Sequence, residues 1–393
     1  MQVDCVAKSF SSFKVMQRRW DIFCTVIDNF GDAGVCWRLA RQLAAEYGVQ
    51  VRLWIDELSA LQRLWPAVAL DAEMQQVAGV TIAAWRKPFV DVDVADVVIE
   101  AFACALPECY LAAMARRPQP PAWINLEYLS AEAWVEDCHG LASPQSNSAL
   151  KKYFFFPGFS AGSGGLLGER ELPARRQQFQ ADAAARSEFL GKFGVQVAAD
   201  TTVISLFAYA SAPLADWFDA LVAGAARTLC LIPEGELSSA AARYFGEPGL
   251  AVGAQRRRDA LDIAVLPFLR QDEYDLLLWS CDLNAVRGED SFVRAQWAGR
   301  PLLWQIYPQQ DGAHWIKLDA FLDLYTQTLP AHAAAAVTTA WRAWNGWGDI
   351  SVAWRGLQPV LPILRARGER WAERLQHGTN LAAALVQFCA NHV

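Results

Sequence analysis

From residue 20 to residue 307, short apolar runs of strand length alternate with segments whose apolar residues recur every fourth position. That alternation is the signature of an α/β fold and constrains the chain more than any other property. The first strand is expected at 20–27. The loop Asp28-Asn29-Phe30-Gly31-Asp32-Ala33-Gly34 follows, and the next helix sets Val35, Leu39, Leu43 and Tyr47 on one face, with Arg38, Arg41 and Glu46 elsewhere. Further strands are predicted at 49–55, 80–85, 96–101 and 122–126, with a helix at 107–116. The aromatic segment Tyr153-Phe154-Phe155-Phe156 and the glycine-rich Gly162-Ser163-Gly164-Gly165 close this unit. A polar, Arg- and Gln-rich stretch at 169–186 reads as a linker. A second unit has predicted strands at 201–207, 228–232, 263–268, 281–286 and 301–307. Its helices fall at 214–222 and from 272, where Tyr274, Leu277, Leu278 and Cys281 share a face. Beyond 310 the pattern is helical, with Trp341, Trp344, Trp354 and Trp371 as packing residues. The expected division is an extension at 1–19, one α/β unit at 20–168, the linker, a second unit at 187–350 and helices at 351–393 that pack back towards the first unit. Two such units imply a cleft between them, the usual place for a ligand.

The totals agree with this outline. A chain of 393 residues has room for two domains of about 100–200 residues each. With 53% hydrophobic and 20% charged residues it belongs to the globular class. No run reaches the ~18 apolar residues of a membrane span, and residues 1–19 carry Lys8, Lys14, Arg18 and Arg19 without the apolar stretch of a signal peptide. Met16 is an alternative start, and a cytoplasmic location is expected. Nine Cys form no C-x-x-C pair, and Cys24, Cys36, Cys230 and Cys281 sit in apolar segments, so they read as reduced core residues. Five scattered His without H-E-x-x-H argue against a metal centre, and a net charge of −7 argues against general nucleic-acid binding. Arg256-Arg257-Arg258, the one sharp basic run, reads as a solvated loop.

Chemistry concentrates in a few places. The stretch 287–299 runs from strand to tight glycine turn to helix, with Ser291 expected as the N-cap. Exposed amides at a helix start bind anions, and Arg287 adds a full charge. Glu289 and Asp290 beside it suit sugar hydroxyls or a developing cation. The same residues also suit an ordinary capped turn. Asp28 and Asp32 lie in the loop at the carboxyl edge of the first sheet, where open α/β sheets bind ligands and a carboxylate can act as general base; as turn and helix caps they would carry no chemistry. Phe207, Tyr209, Phe268, Gln271 and Tyr274 occupy strand ends in the second unit, where aromatics stack on a planar base and an amide reads its edge, or else simply fill the core. The first loop lacks G-x-G-x-x-G, so the dinucleotide fingerprint of an oxidoreductase is missing.

Taken together, Phe23 to Asp32, Val98 to Cys104, Asn125-Leu126-Glu127-Tyr128-Leu129-Ser130-Ala131-Glu132, Ser143-Pro144-Gln145, Lys152-Tyr153-Phe154, Gly158-Phe159-Ser160, Ser163-Gly164-Gly165-Leu166 and the block 287–296 closely resemble the protein-arginine rhamnosyltransferases that modify translation elongation factor P. The resemblance runs from about 20 to 307 and is weak over the linker, over 235–260 and through the helical tail. It implies a GT-B fold of two facing Rossmann-like domains and an inverting, metal-independent transferase with no cofactor. The implied donor is dTDP-β-L-rhamnose, and the acceptor a single arginine of elongation factor P, which becomes active on ribosomes stalled at polyproline. By position, the resemblance makes Asp32 the general base, Asp28 its neighbour and Glu289 a further required carboxylate. Asp290 and Ser291 would meet the diphosphate, with Arg287 close by. Phe268 and Gln271 would hold the thymine, and Phe207 and Tyr209 would line the pocket; Tyr274 stands where the family can have Phe. The competing expectations are another GT-B transferase with a small-molecule acceptor, and a non-catalytic protein that grips the factor.

Overall fold

A computed structural model describes residues 18–28, 30–145, 149–309 and 311–392. Most of the proposed extension, with Met16, lies outside the described residues, as does Asn29. The chain builds two sheets in succession. The first contains β1 (Arg19–Cys24), β2 (Gln50–Ile55), β3 (Met74–Val77), β4 (Val80–Ala84), β5 (Val97–Ala101), β6 (Ala122–Leu126), β7 (Ala142–Pro144) and β8 (Lys151–Phe155). Their order is β3-β4-β2-β1-β5-β6-β8-β7. The six inner strands are parallel, and β3 and β7 pair antiparallel at the two edges. Strands such as β5 and β6 are buried along their whole length, as expected of parallel strands covered by helices on both faces.

The second sheet holds β9 (Thr202–Leu206), β10 (Thr228–Pro233), β11 (Gln255–Arg258), β12 (Leu261–Leu266), β13 (Leu283–Arg287) and β14 (Leu302–Gln305), in the order β11-β12-β10-β9-β13-β14. All but β11 run parallel. In both sheets the chain starts in the middle and builds first to one side, then to the other. Strand order therefore reverses between β1 and β5 and between β9 and β13. A crevice opens beyond the carboxyl ends of the strands at such a reversal. The loop after β1 carries Asp28 and the helix that follows it Asp32, while Phe207 and Tyr209 follow β9 and Arg287 ends β13, so the two crevices supply the walls of one cleft.

Several local expectations change. The first strand stops at Cys24, because the chain leaves the sheet and closes a turn in which the Gly31 amide donates to the Asp28 carbonyl at 2.7 Å. The stretch read as a linker is largely helical, over Leu172–Ala181 and Ala183–Gly191. The basic run is the edge strand β11, its charges committed locally: Arg256 pairs with Glu247 and Arg257 with Asp262.

Contacts along the chain's crossing points join the units. Trp297 of the second unit donates its indole N–H to the Leu167 carbonyl at 2.8 Å, and Arg38 of the first grips Glu169 through two hydrogen bonds of 2.8 and 2.7 Å. The C-terminal helix Leu381–Ala390 then returns to the first core, where Leu381, Ala382, Leu385 and Cys389 are buried with Leu39 and Leu43. Burying a leucine side chain contributes about 1.5–3 kcal/mol, enough to hold the returning helix in place. The outgoing and returning chains touch: the Leu166 amide donates to Thr379 at 3.0 Å and the Leu381 amide to Leu166 at 2.9 Å. Gly165, at φ 76°, is needed here, since a Cβ would fall 2.0 Å from the Thr379 carbonyl oxygen. None of the described helices is long and apolar enough to cross a membrane.

Candidate active site

The helix Gly31–Tyr47 places Asp32 in its first turn, 2% exposed. Its Oδ2 accepts from the amides of Ile27 and Asp28 at 2.8 and 2.9 Å, and its Oδ1 accepts from the Tyr128 hydroxyl at 3.2 Å. The carboxylate is thus fixed from three sides at a helix N-terminus that favours negative charge. Phe30, not an aspartate, occupies the N-cap position, and no side chain caps this helix. Asp28 turns towards the opposite unit, where its Oδ2 accepts from the Tyr209 hydroxyl at 2.7 Å. Burial pushes the Asp28 carboxyl up, against the pull of Tyr209 and Arg287.

The second unit answers with the turn after β13. Gly288 has φ 62°, and a Cβ there would come within 2.7 Å of Asp28 Oδ2 and 3.1 Å of the Tyr209 hydroxyl. Only glycine lets the two units meet at this point. Trp304 fixes the turn by donating to the Gly288 carbonyl at 2.8 Å while stacking on Phe292 at 3.9 Å. The helix begins at Asp290, two residues before the start at Phe292 that a Ser291 cap implies. Ser291 is consequently not the N-cap: it lies inside the helix, and its hydroxyl donates back to the Arg287 carbonyl. The first-turn amides are left without a side-chain cap. The Arg287 guanidinium stands over the rings of Phe207 and Tyr209, 4.5 and 4.6 Å from their centroids.

Asp290 and Gln271 take positions that local sequence does not disclose. Asp290 Oδ2 accepts from Gln271 Nε2 and from Arg294 Nε, both at 3.0 Å, and Arg38 Nη1 lies 4.0 Å from its Oδ1. Its side chain thus belongs to a buried ion network that also pairs Arg294 with Asp275 at 2.9 Å. Gln271 Nε2 further donates to the Gly34 carbonyl at 2.9 Å, which ties the two units together. Its Oε1 is buried with no hydrogen-bond partner among the described residues. Tyr274 is half-buried, its ring edge-on to Phe207 at 6.0 Å. Phe268 meets Phe30 of the first unit at 4.8 Å, with Arg63 4.9 Å above its ring.

These residues line two adjoining cavities. One, of about 700 Å³, is bounded by Phe30, Phe207, Phe268, Gln271, Tyr274 and Arg287, with Asp290 and Ser291 at its floor. The other, of about 900 Å³, is bounded by Asp32, Phe102, Tyr128, Glu289, His314 and Lys317. Asp28, Gly31 and Gly288 belong to both and form the partition. Phe30, Tyr128, His314 and Lys317 carried no assigned role in the sequence. Glu289 Oε2 accepts from the Leu129 amide at 2.8 Å. Burial pushes its carboxyl up to about 7; Asp32 and Asp290 add to that, while Lys317 and the Leu129 N–H oppose it.

A consequence for stability follows. The unfolded carboxyl ionises near 4.5 and the folded one near 7, so between these values the folded state binds more protons and stability falls as pH rises. Glu289→Gln keeps an acceptor for Leu129 but has nothing to ionise. The variant is expected to gain thermal stability over the parent as pH rises from about 4.5 to about 7. Melting curves across that range check it, and a constant difference would contradict the assignment.

Two Rossmann-like sheets that face each other across paired cavities, with a C-terminal helix returning to the first unit, define a GT-B glycosyltransferase. The sequence profile described as Elongation-Factor P (EF-P) rhamnosyltransferase EarP matches residues 20–390, and the chain belongs to that family. The protein-arginine rhamnosyltransferase of Pseudomonas aeruginosa is 53% identical over 372 residues, which cover 95% of this chain and 99% of that one. Its counterpart in Pseudomonas putida is 51% identical over 376 residues, 96% of this chain and 100% of the other. A solved structure described as the structural basis for EarP-mediated arginine glycosylation of translation elongation factor EF-P is 40% identical and superposes with a TM-score of 0.70, covering 96% of this chain and 100% of that one. Among the described residues, no group of three or more His, Cys, Asp or Glu is arranged to hold a metal ion.

Proposed function

We propose that this chain transfers L-rhamnose from dTDP-β-L-rhamnose to the guanidinium of one arginine of elongation factor P, with inversion at the anomeric carbon. The observation that carries the reading is the partition: an aromatic cavity with a cationic, helix-start floor adjoins an acidic cavity holding Asp32 and Glu289. The first suits a nucleoside diphosphate and the second a guanidinium.

An arginine is protonated in water, with a pKa above 12, and its cation is a poor nucleophile. Asp28, Asp32 and Glu289 draw it in and orient it. As a guanidinium nitrogen forms its bond to the anomeric carbon, Asp32 takes the nitrogen's proton. The bond from that carbon to the diphosphate oxygen breaks, and the electron pair leaves with dTDP. The uncapped amides of the helix Asp290–Trp297 and the Arg287 charge stabilise the departing diphosphate. The orphan Gln271 Oε1 is suited to accept from a thymine N–H, with Phe268 and Phe207 against the base. On this reading residues 20–168 present the acceptor side, 187–350 hold the donor, and a protein that acts on a translation factor works in the cytoplasm.

Phe268→Ala should weaken dTDP binding roughly tenfold, since stacking on a base is worth about 1–3 kcal/mol. Calorimetric titration measures it, and an unchanged affinity removes Phe268 from the base pocket. The reading as a whole is tested by intact mass of elongation factor P after incubation with this protein, dTDP-L-rhamnose and EDTA. One added deoxyhexose, mapped to a single arginine, is expected. No gain from folded protein that binds the donor would point to a different acceptor.

A further inference from the structure

The acidic cavity holds a cation to which this chemistry gives no part. Lys317 reaches from the helix Ala313–Thr326 into the space bounded by Asp28, Asp32, Tyr128, Glu289 and His314. Its ammonium lies 5.6 Å from the centroid of the Tyr128 ring, which itself stacks on Phe102 at 4.3 Å and donates to Asp32. An ammonium offers three donors and no acceptor, and its burial is unfavourable without opposite charge nearby. Burial pushes Lys317 down, and Glu289 leads the groups that oppose this, ahead of Glu132 and Glu127; the attraction is Coulombic, without a hydrogen bond.

We propose that Lys317 is a positioning residue that favours the charged form of Glu289, so that a third carboxylate can join Asp28 and Asp32 in facing the incoming guanidinium. What Glu289 does there rests on the proposed reaction; the electrostatic link between the two residues does not. The groups set around Glu289 are Asp28, Asp32, Cys36 and Arg38 from the first loop and helix, Tyr128 after β6, Arg287 and Asp290 beside it, and His314 and Lys317 from the helix beyond. Asp32 and Asp290 oppose its ionisation. Arg38 is engaged by Glu169, and Arg287 stands over Phe207 and Tyr209. Among the described residues, Lys317 is foremost of the groups pulling the Glu289 carboxyl down against burial.

The test compares thermal stability across pH 4 to 10 in two pairs: parent with Glu289→Gln, and Lys317→Met with the double variant. Within each pair the difference isolates Glu289: it changes with pH until the folded carboxyl ionises, then levels off. Without Lys317 the levelling point should rise by about one pH unit, the effect of losing a nearby opposite charge, and Lys317→Arg should restore it. Levelling at the same pH in both pairs overturns the proposal; if Lys317→Met does not fold, Lys317→Gln takes its place. In the transfer assay the acid limb of kcat/KM should move up in Lys317→Met and return in Lys317→Arg. A loss uniform in pH with a raised KM would instead make Lys317 a substrate contact and overturn the proposal. Should the parent itself transfer no rhamnose, the functional reading fails while the stability pairs still decide the role of Lys317.

Discussion

Asp32→Asn should abolish rhamnose transfer while leaving dTDP affinity within about twofold, the expected loss being on the order of 10²- to 10⁴-fold in rate for a missing general base. The argument is geometric. The Asn carbonyl can take the place of Oδ2 and accept from the Ile27 and Asp28 amides, so the loop keeps its shape. The amide nitrogen then stands where Oδ1 receives the Tyr128 hydroxyl and has no lone pair with which to take a proton. The donor cavity does not include Asp32, so nucleotide binding is untouched. Single-turnover mass spectrometry and calorimetry on the same preparation separate the two effects. Near-normal turnover would falsify the assignment of Asp32 as base, and lost donor binding would show that the residue matters chiefly for folding.

Arg294→Met should cost about 3–5 kcal/mol of stability, the usual result of removing one side of a buried ion pair. Arg294 is 3% exposed and serves two buried aspartates, Asp275 and Asp290. Burial already pushes Asp275 up, with Arg294 foremost in opposing it. In the variant Asp275 loses its main partner, so the deficit should shrink as pH falls and its carboxyl protonates. Donor binding should weaken as well, because Asp290 holds Gln271 against Gly34. Chemical denaturation at pH 7 and pH 4 measures both parts. A loss below about 1 kcal/mol, typical of exposed pairs, would mean that the network adds little.

The chain disclosed its architecture because alternation is a local property: each strand and helix announces itself within a dozen residues. Asp28 and Asp32 were legible for the same reason, as two carboxylates on a short glycine loop at a sheet edge. Ser291 misled because the capping rule weighs only sequence neighbours; the helix starts two residues earlier than that cap implies, where Arg38 and Gln271 from other elements meet Asp290. Tyr128 could have been suspected from its place just beyond β6, but its bond to Asp32 spans 96 positions. Lys317 had no signal at all, since nothing around it in the sequence marks one face of that helix as the wall of a cavity. The helices that run through 169–186 were not legible, because that stretch is polar and its helix Leu172–Ala181 buries little beyond Leu172 and Arg176.

The chain leaves the first unit at Leu166 and comes back at Asn380, and these two passages lie side by side, bonded through their backbones. Mechanically this is a strap of two cords instead of a single tether. A single tether would let the second unit swivel freely, and the register of Gly288 against Asp28 would have to be found again at each opening. Two joined cords resist torsion and leave bending as the soft motion, so separation of the units becomes a swing about one axis. The lips of the cleft can part to admit a nucleotide and a protein loop, and on return Tyr209 comes back to the same carboxylate.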